Sequence, residues 1–289
     1  MPPEITNDEQ YEFWNKGIGQ KWVKEDNSLN ERFTILTKEF FSRANINKSD
    51  KVLDIGCGGG ITSFKASKLV GKDGYVLGAD ISEILLDLAK KNFSNIENLE
   101  FKYCDVQNFN FEKGFFSKVI SRFGVMFFEN PIVAFKNIYN SIQDGGSLHF
   151  VCWTSVMENE FFTSAANVII KHLNKEFPKV TRAPGPFAFS EEKYVKQILN
   201  ASGFKNIKVD KVYSLISTND DAEKDGELLF NIGLAGRLLS EENLLEKELF
   251  KIKDKIIKMS QTRQVDGKIT YKACLNFVSA NKKIYNKNI

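Results

Sequence analysis

The feature that most constrains the fold is a glycine-rich turn, Asp54–Gly60, with the sequence DIGCGGG. It follows a short apolar segment, Lys51–Ile55, which is predicted as a strand, and it precedes Ile61–Val70, which is predicted as a helix. Glycine lets a ligand approach the backbone, and the first turn of the helix offers N–H groups that have no intrahelical partner. This strand–turn–helix unit predicts a ligand-binding site in an α/β protein. We call its middle part, Asp54–Gly60, the glycine turn.

Strands and helices alternate along the chain after this turn. The predicted strands are Gly74–Asp80, Leu99–Cys104, Phe116–Ser121 and Ser147–Trp153, and the predicted helices are Ser82–Phe93 and Pro131–Ile142. A turn is predicted at Asp144–Gly146, directly before the last of these strands. Such alternation is typical of βαβ units, in which helices cover both faces of a parallel sheet.

The alternation becomes less regular after Trp153. The predicted elements here are a helix at Asn159–Leu173, a loop at Thr181–Ser190, a helix at Glu191–Ser202, a strand at Phe204–Val212, a mostly helical stretch at Asp220–Ser260 and a last strand at Ile269–Ala280. We expect residues 154–190 and 218–265 to be insertions that cap the mouth of the sheet, where α/β proteins bind ligands. The predicted division is an N-terminal lid and helix over residues 1–48 and the main domain over residues 49–289.

The N-terminal segment is rich in aromatic residues. Trp14 and Trp22 flank a Gly17-Ile18-Gly19 break, and Ser28–Ala44 has the apolar spacing of an amphipathic helix. Two interpretations stay open. The tryptophans either anchor a helix to the core, or they belong to a lid that closes over a bound ligand and excludes water.

Composition excludes several classes of protein. The 289 residues contain no apolar run near the roughly 20 residues of a membrane span. The N-terminus is polar and acidic, so we expect a cytoplasmic protein. The net charge is only +3, with lysines interspersed among acids, so no nucleic-acid partner is expected. The four cysteines form no CxxC pair, so no metal site is expected.

Three acidic residues stand at the carboxyl ends of three successive predicted strands, namely Asp54, Asp80 and Asp105. Asp80 stands 20 positions after Gly60, where nucleoside-binding sheets place an acid that hydrogen-bonds the ribose hydroxyls. A carboxylate at Asp105 can accept a hydrogen bond from the amino group of adenine. Because the carboxyl ends of parallel strands meet at one edge, the three acids predict a nucleoside site.

The glycine pattern separates two nucleoside cofactors. It is GxGxG, with Ile61 where the third glycine of the dinucleotide pattern GxGxxG belongs. Asp54 would also repel a pyrophosphate, whereas it would attract the sulfonium and ammonium groups of S-adenosylmethionine. S-adenosylmethionine is therefore favoured. The alternatives are an NAD(P)-dependent oxidoreductase on a similar sheet and a non-catalytic S-adenosylmethionine-binding protein.

The chain resembles the class I S-adenosylmethionine-dependent methyltransferases, in the broad group of ubiquinone- and menaquinone-biosynthesis-like enzymes. The matching segments are Val52–Gly60, Asp80–Ser82, Cys104–Val106, Ser121–Phe128 and Gly145–Leu148, together with Phe13–Trp22 and Pro184–Phe187. The resemblance implies a Rossmann-like sheet of seven strands in the order 3-2-1-4-5-7-6, with the last strand antiparallel and with helical cap insertions. It also implies S-adenosyl-L-methionine as cofactor and methyl transfer to an O, N, C or S atom of a small molecule.

The resemblance further implies a role for each matching position. The implied cofactor contacts include Asp54, with Gly56 and Gly58 for the methionine part and Ser121 and Arg122 for the sulfonium and amino-acid end. Asp80 is implied for the ribose. The implied adenine contacts are Ile81, Leu85, Asp105 and Val106. Around the acceptor, the candidate apolar wall includes Phe123 and Trp153, and the candidate anchors for an acidic acceptor group are Arg122 and Arg182.

No catalytic residue is assigned from the sequence. His149 and His172 are the two histidines that could act as a base near neutral pH, but structural or surface roles are the preferred interpretation of both. Methyl transfer from a sulfonium depends mainly on in-line placement and desolvation, so such an enzyme can lack an obvious base. The acceptor and its reacting atom are not identified by any motif.

Overall fold

One sheet forms the centre of the protein, which is described here from a computed structural model covering residues 7–179 and 181–284. Residues 1–6 of the predicted N-terminal segment and 285–289 of the predicted main domain lie outside the described residues. The strands are β1 Lys51–Ile55, β2 Tyr75–Asp80, β3 Leu99–Tyr103, β4 Phe116–Arg122, β5 Ile142–Trp153, β6 Lys205–Thr218, β7 Gln264–Val265 and β8 Lys268–Asn281.

The strand order confirms the predicted topology. The main path is β3-β2-β1-β4-β5-β8-β6, and the two-residue strand β7 pairs only with β8. Strands β1 to β5 are parallel, whereas β8 is antiparallel to both β5 and β6. Apart from β7, this is the expected seven-stranded order, in which the last strand lies between the fifth and the sixth.

Helices surround the sheet. They are α1 Asp8–Lys16, α2 Ile18–Arg32, α3 Thr34–Ala44, α4 Ile61–Val70, α5 Glu83–Phe93, α6 Pro131–Ser141, α7 Glu160–Leu173, α8 Glu192–Ala201, α9 Ala222–Asn231, α10 Gly233–Ser240 and α11 Glu246–Arg263, with 3₁₀ turns at Val125–Phe127 and Val156–Glu158. The expected cap at Ser82 is confirmed, because its side chain accepts a hydrogen bond from the N–H of Leu85. Among the described residues, no helix is long and apolar enough to cross a membrane.

Three element boundaries differ from the sequence prediction. The turn expected at Asp144–Gly146 lies inside β5, which begins at Ile142 and shifts its register against β4 between Ile142 and Ser147. Strand β6 continues to Thr218 because β8 pairs with it as far as Ile269. The expected helix Ser28–Ala44 is two helices, which meet at Phe33. The side chain of Phe33 is buried against other aromatic rings, so tertiary packing accompanies the break.

A buried ionic network joins the N-terminal helices to the cap insertions. The Arg32 guanidinium of α2 is fully buried and pairs with Asp225 of α9 and with Asp220. Asp225 also accepts hydrogen bonds from the hydroxyls of Ser260 and Tyr271. Four elements, α2, α9, α11 and β8, are therefore held by one set of polar contacts.

We expect Arg32→Ala to destabilise the protein by about 3–5 kcal/mol, because it leaves the Asp225 carboxylate buried without its charged partner. Urea unfolding followed by circular dichroism measures this change. The matched control is Arg237→Ala, which removes an exposed pair with Glu241 on α10 and should change little. Equal effects of the two substitutions would show that the buried pair does not hold the helices together.

Candidate functional site

A cleft opens where the parallel strands end. The space between its walls is about 770 Å³, a figure that includes open solvent. Its walls come from the carboxyl ends of β1, β2, β3 and β4 and from α1 and α2, and its lining residues include Gly56, Gly58, Asp80, Ile81, Leu85, Asp105, Val106, Arg122, Phe123, Gly124, Trp14 and Trp22. Most of the predicted cofactor residues therefore meet here.

The floor of the cleft is a close contact between two glycines. Gly56 has a φ of +64°, and a Cβ atom on it would lie 2.6 Å from the Cα of Gly124. Ser121 fixes this approach, since its hydroxyl donates to the carbonyl of Ile55 at 2.7 Å and accepts from the N–H of Gly124 at 3.2 Å. Ser121 is fully buried and does not line the cleft, so its role is to hold the turns after β1 and β4 together.

Asp80 holds the glycine turn in place. One carboxylate oxygen accepts from the N–H of Gly58 at 2.7 Å, and the other accepts from the N–H of Ser82 at 2.8 Å. Burial raises the pKa of Asp80, and these backbone hydrogen bonds oppose the rise. The carboxylate lines the cleft at the position expected for a ribose contact.

Asp54 lies beneath the turn rather than in the cleft wall. It is completely buried, and its Oδ2 accepts from the hydroxyls of Thr62 and Ser63 at 2.6 and 2.7 Å. Its Oδ1 has no hydrogen-bond partner among the described residues. Burial raises the pKa of Asp54 to about 6, against the lowering effect of the two hydroxyls and of Arg122. Because the Asp54 carboxylate is buried beneath the glycine turn, it can act on a ligand in the cleft only through its charge.

Arg122 lines the cleft at the end of β4 and is held by the N-terminal helices. Its guanidinium donates to the hydroxyl of Thr37 at 2.8 Å and to the side-chain oxygen of Asn30 at 2.6 Å. Burial lowers the pKa of Arg122 to about 10, while the charges of Asp54 and Asp26 act in the opposite direction. The guanidinium thus remains a cation at neutral pH.

Helices α2 and α3 supply polar residues that the sequence analysis missed. Asp26 reaches the glycine turn, where a Cβ atom on Gly59 would lie 2.6 Å from its Oδ1. Asn30 donates to Asp26 at 3.0 Å while accepting from Arg122. Their positions four residues apart, on one face of a helix, were a weak signal, because nothing in the sequence indicates which element that face meets.

Helix α1 lies across the cleft. The hydroxyl of Ser82 donates to the carbonyl of Trp14 at 3.0 Å, and the Trp14 ring packs edge-on against Phe127 and Trp22. Asn15 donates to the carbonyl of Ile81 at 3.0 Å and accepts from the N–H of Glu83 at 2.8 Å. The helix is therefore attached to the residues that follow β2 and β4.

Two of the proposed acceptor residues lie outside the cleft. The Trp153 ring stacks behind Phe123 with a centroid distance of 4.5 Å, so it supports the wall without lining it. Arg182 pairs with Glu191 at 2.8 Å and lies over the ring of Tyr194, away from the cleft. The loop sequence gave no indication of this local ion pair.

Neither histidine lines the cleft. His149 of β5 contacts the hydroxyl of Ser147 at 2.9 Å, and burial, together with the charge of Lys118, lowers its pKa to about 4. His172 lies on α7 beside Glu248 of α11. Both positions agree with the structural and surface roles that the sequence analysis preferred.

We expect Gly124→Ala to weaken binding of an adenosyl ligand at least tenfold, because its Cβ would lie 2.5 Å from the carbonyl oxygen of Ile55 and push the two turns apart. Calorimetry with S-adenosylhomocysteine measures the affinity. Gly114→Ala is the control, since it also adds a methyl group to a glycine, one with a φ of +65° and its nearest atom 4.0 Å away. Wild-type affinity in both variants would contradict this account of the floor.

These features define a Rossmann-like nucleoside-binding protein, with an acid after the second strand and a GxGxG turn after the first. Residues 52–146 match the family described as "Methyltransferase domain". The demethylmenaquinone methyltransferase of Staphylococcus saprophyticus subsp. saprophyticus is 25% identical over 205 residues, covering 67% of this chain and 87% of that protein. The putative methyltransferase 235L of Invertebrate iridescent virus 6 is 29% identical over 230 residues, covering 79% and 82%.

A solved structure shares the fold. The putative methyltransferase from Bacillus halodurans C-125 has a TM-score of 0.54 and 17% identity, over 86% of this chain and 98% of that one. These similarities show an S-adenosylmethionine-dependent methyltransferase. The predicted enzyme class and cofactor are thus confirmed, which excludes the NAD(P)-dependent alternative.

The residues of the cleft fit this cofactor. S-adenosylmethionine carries a sulfonium and an ammonium, and Asp54, Asp80 and Asp26 surround the glycine turn with carboxylates. The Oδ1 atom of Asp54 is buried without a partner among the described residues, so part of the negative charge there is not already used in a hydrogen bond. Arg122 supplies a cation at the same edge for a carboxylate.

Proposed function

We propose that this enzyme methylates a small, apolar, ring-containing molecule inside the cleft that α1 covers. The observation that carries the proposal is the position of α1, which covers the cleft and leaves room for a small acceptor rather than a macromolecule. Aromatic rings dominate the lining next to the glycine turn, in particular Phe123, Phe127, Phe128, Trp14 and Trp22. The similarity to demethylmenaquinone methyltransferases supports a quinone-like ring as the acceptor class.

We assign the cofactor contacts along the cleft from its methionine end to its adenine end. Gly56 and Gly58 pack against the methionine part, and Arg122 holds its carboxylate. Asp80 accepts hydrogen bonds from the ribose hydroxyls. The adenine lies between two sets of residues, which are Ile81 and Leu85 on one side and Asp105 and Val106 on the other.

The residues of this chain act mainly by positioning the acceptor next to the cofactor and by excluding water from the cleft. Bound S-adenosylmethionine supplies an electrophilic methyl group on its sulfonium. The rings of Phe123 and Trp14 keep the acceptor in an apolar environment, where a desolvated nucleophile reacts faster. Neither histidine of the chain lines the cleft, so we assign no imidazole base to the reaction.

We further propose that residues 1–48 comprise an N-terminal lid and helix beside a main domain at 49–289, with α1 as the lid. The hydrogen bonds of Asn15 and Trp14 to the residues after β2 support this division, because they attach α1 through only a few contacts. We keep the insertions at about 154–190 and 218–265 as caps, although none of the described lining residues of the cleft comes from them; Asp220 and Asp225 of the second insertion pack against α2 through Arg32. The four cysteines, all free and buried, support a reducing compartment such as the cytoplasm.

The direct test is binding of S-adenosylhomocysteine by calorimetry, followed by transfer of a labelled methyl group into organic-extractable products. We expect Asp80→Asn to lose about 1.5–3 kcal/mol of binding free energy, or roughly 10- to 150-fold in affinity, because it removes a charged hydrogen-bond acceptor from the ribose. Asp73→Asn, at an exposed loop position, is the matched control. An absence of binding to the wild-type protein would refute the proposed cofactor site.

Cofactor affinity should depend on pH because burial raises the pKa of Asp54 to about 6. Above pH 6 the ionised carboxylate attracts the positive sulfonium and ammonium groups, and below it the neutral carboxyl does not. We therefore expect S-adenosylmethionine affinity to fall as pH drops through 6, by up to about tenfold per pH unit. Calorimetry between pH 5 and pH 8 measures the slope.

Two comparisons assign this slope to Asp54. Uncharged 5′-methylthioadenosine should bind with little pH dependence, because it lacks the ammonium and the sulfonium. Asp54→Asn should flatten the slope for S-adenosylmethionine, although the raised pKa values of Asp26 and Asp80 act in the same direction. A slope that survives unchanged in Asp54→Asn would assign the effect to those neighbours instead.

A further inference from the structure

Two side-chain oxygens at the N-terminal end of α1 are buried without a hydrogen-bond partner among the described residues. Within residues 7–179 and 181–284, Oδ1 of Asn7 and Oε1 of Gln10 make no hydrogen bond, and both residues line the cleft. Asn7 is only 4% exposed. A buried acceptor left unpaired costs about 1–3 kcal/mol, so their positions indicate that a bound ligand supplies a donor.

The orientation of Asn7 is set by its amide nitrogen. Nδ2 donates to the carbonyl of Phe127 at 3.2 Å, which directs Oδ1 away from that carbonyl. Asn7 stands at the N-cap of α1, where an asparagine oxygen usually accepts from the helix backbone, yet its side chain makes no capping hydrogen bond. The oxygen is therefore not used by the helix that it begins.

The contacts of α1 show which half of the cofactor these oxygens face. Helix α1 is attached to Ile81 and Ser82, which follow β2, and to Phe127, which follows β4. The amino-acid half is covered instead by α2, where Asp26 meets Gly59 and Asn30 holds Arg122. Asn7 and Gln10 thus lie on the nucleoside side of the cleft.

The nucleoside offers few hydrogen-bond donors. The ribose contributes hydroxyls, which the proposed function assigns to Asp80, and the adenine base contributes only its exocyclic amine, which has two N–H groups. Asp105 can accept from one of them. We propose that Asn7 and Gln10 are specificity-determining residues that accept from the other N–H group and share it between their two oxygens. The inference rests on the proposed cofactor pose, and it makes α1 a reader of the base as well as a cover.

The consequence is discrimination between adenine and hypoxanthine. Hypoxanthine carries a carbonyl oxygen where adenine has its amine, so it would place an acceptor against the oxygens of Asn7 and Gln10. A site built around donor groups of its ligand rejects an analogue that lacks them more strongly than an apolar site does.

The experiment compares S-adenosylhomocysteine with S-inosylhomocysteine by calorimetry. Wild-type protein should prefer the adenine ligand, and Gln10→Met and Asn7→Ala should each reduce that preference about 5- to 30-fold, as expected for one or two kcal/mol of hydrogen bonding. The control is Asn15→Ala, which loses hydrogen bonds of α1 to the backbone of Ile81 and Glu83 and should weaken both ligands equally. Thermal unfolding verifies that each variant is folded.

The outcomes separate the competing explanations. An unchanged preference in both Gln10→Met and Asn7→Ala overturns the inference, even if both ligands bind more weakly, because the residues would then only position the helix. Unchanged binding of both ligands with a raised KM for the acceptor also overturns it, since the oxygens would serve the acceptor. Failure of wild-type protein to bind S-adenosylhomocysteine would instead refute the proposed cofactor site itself.

Discussion

The contact between Gly56 and Gly124 is the constraint on which the site depends. The turns after β1 and β4 can meet only because neither residue has a side chain, and a Cβ atom on either would lie within 2.7 Å of the other's backbone. Ser121 bonds both turns and so fixes the distance between them. The cleft is the space above this contact. Its floor is set by how closely the turns that follow the adjacent parallel strands β1 and β4 approach each other.

Three acids lie around the glycine turn, and one arginine lies at the end of β4. Asp54 and Asp80 lie below and beside the glycine turn, Asp26 approaches it from α2, and Arg122 stands at the end of β4. Burial raises the pKa values of the three acids, which means that their carboxylates are poorly solvated. A nearby positive charge offsets this desolvation penalty, so the burial of the three acids favours a sulfonium cofactor.

The N-terminal helices connect this site to the cap. Asn30 and Thr37 hold Arg122 at the cleft, while Arg32, between them in sequence, makes the buried pair with Asp225 of α9. Helix α1 is attached through a smaller set of contacts near Ile81 and Phe127. The segment before the first strand therefore has a firmly anchored part and a lightly anchored part, and the second covers the side of the cleft to which we assign the nucleoside.

The sequence by itself predicted the alternating strands and helices, the glycine turn and the acids at Asp80 and Asp105, because alternation and turn chemistry are local patterns that the parallel fold repeats. The strand order was implied by the resemblance to a known family, and the structure confirms it. The sequence also indicated Arg122 and the tryptophans of α1 and α2. Only the tertiary structure decided that Asp54 lies beneath the turn, that Trp153 supports Phe123 from behind and that Arg182 pairs with Glu191. Likewise, the positions of Asn7, Gln10, Asp26 and Asn30 at the cleft depend on how helices dock across distant strands, and residues that meet through such docking share no spacing that a sequence could reveal.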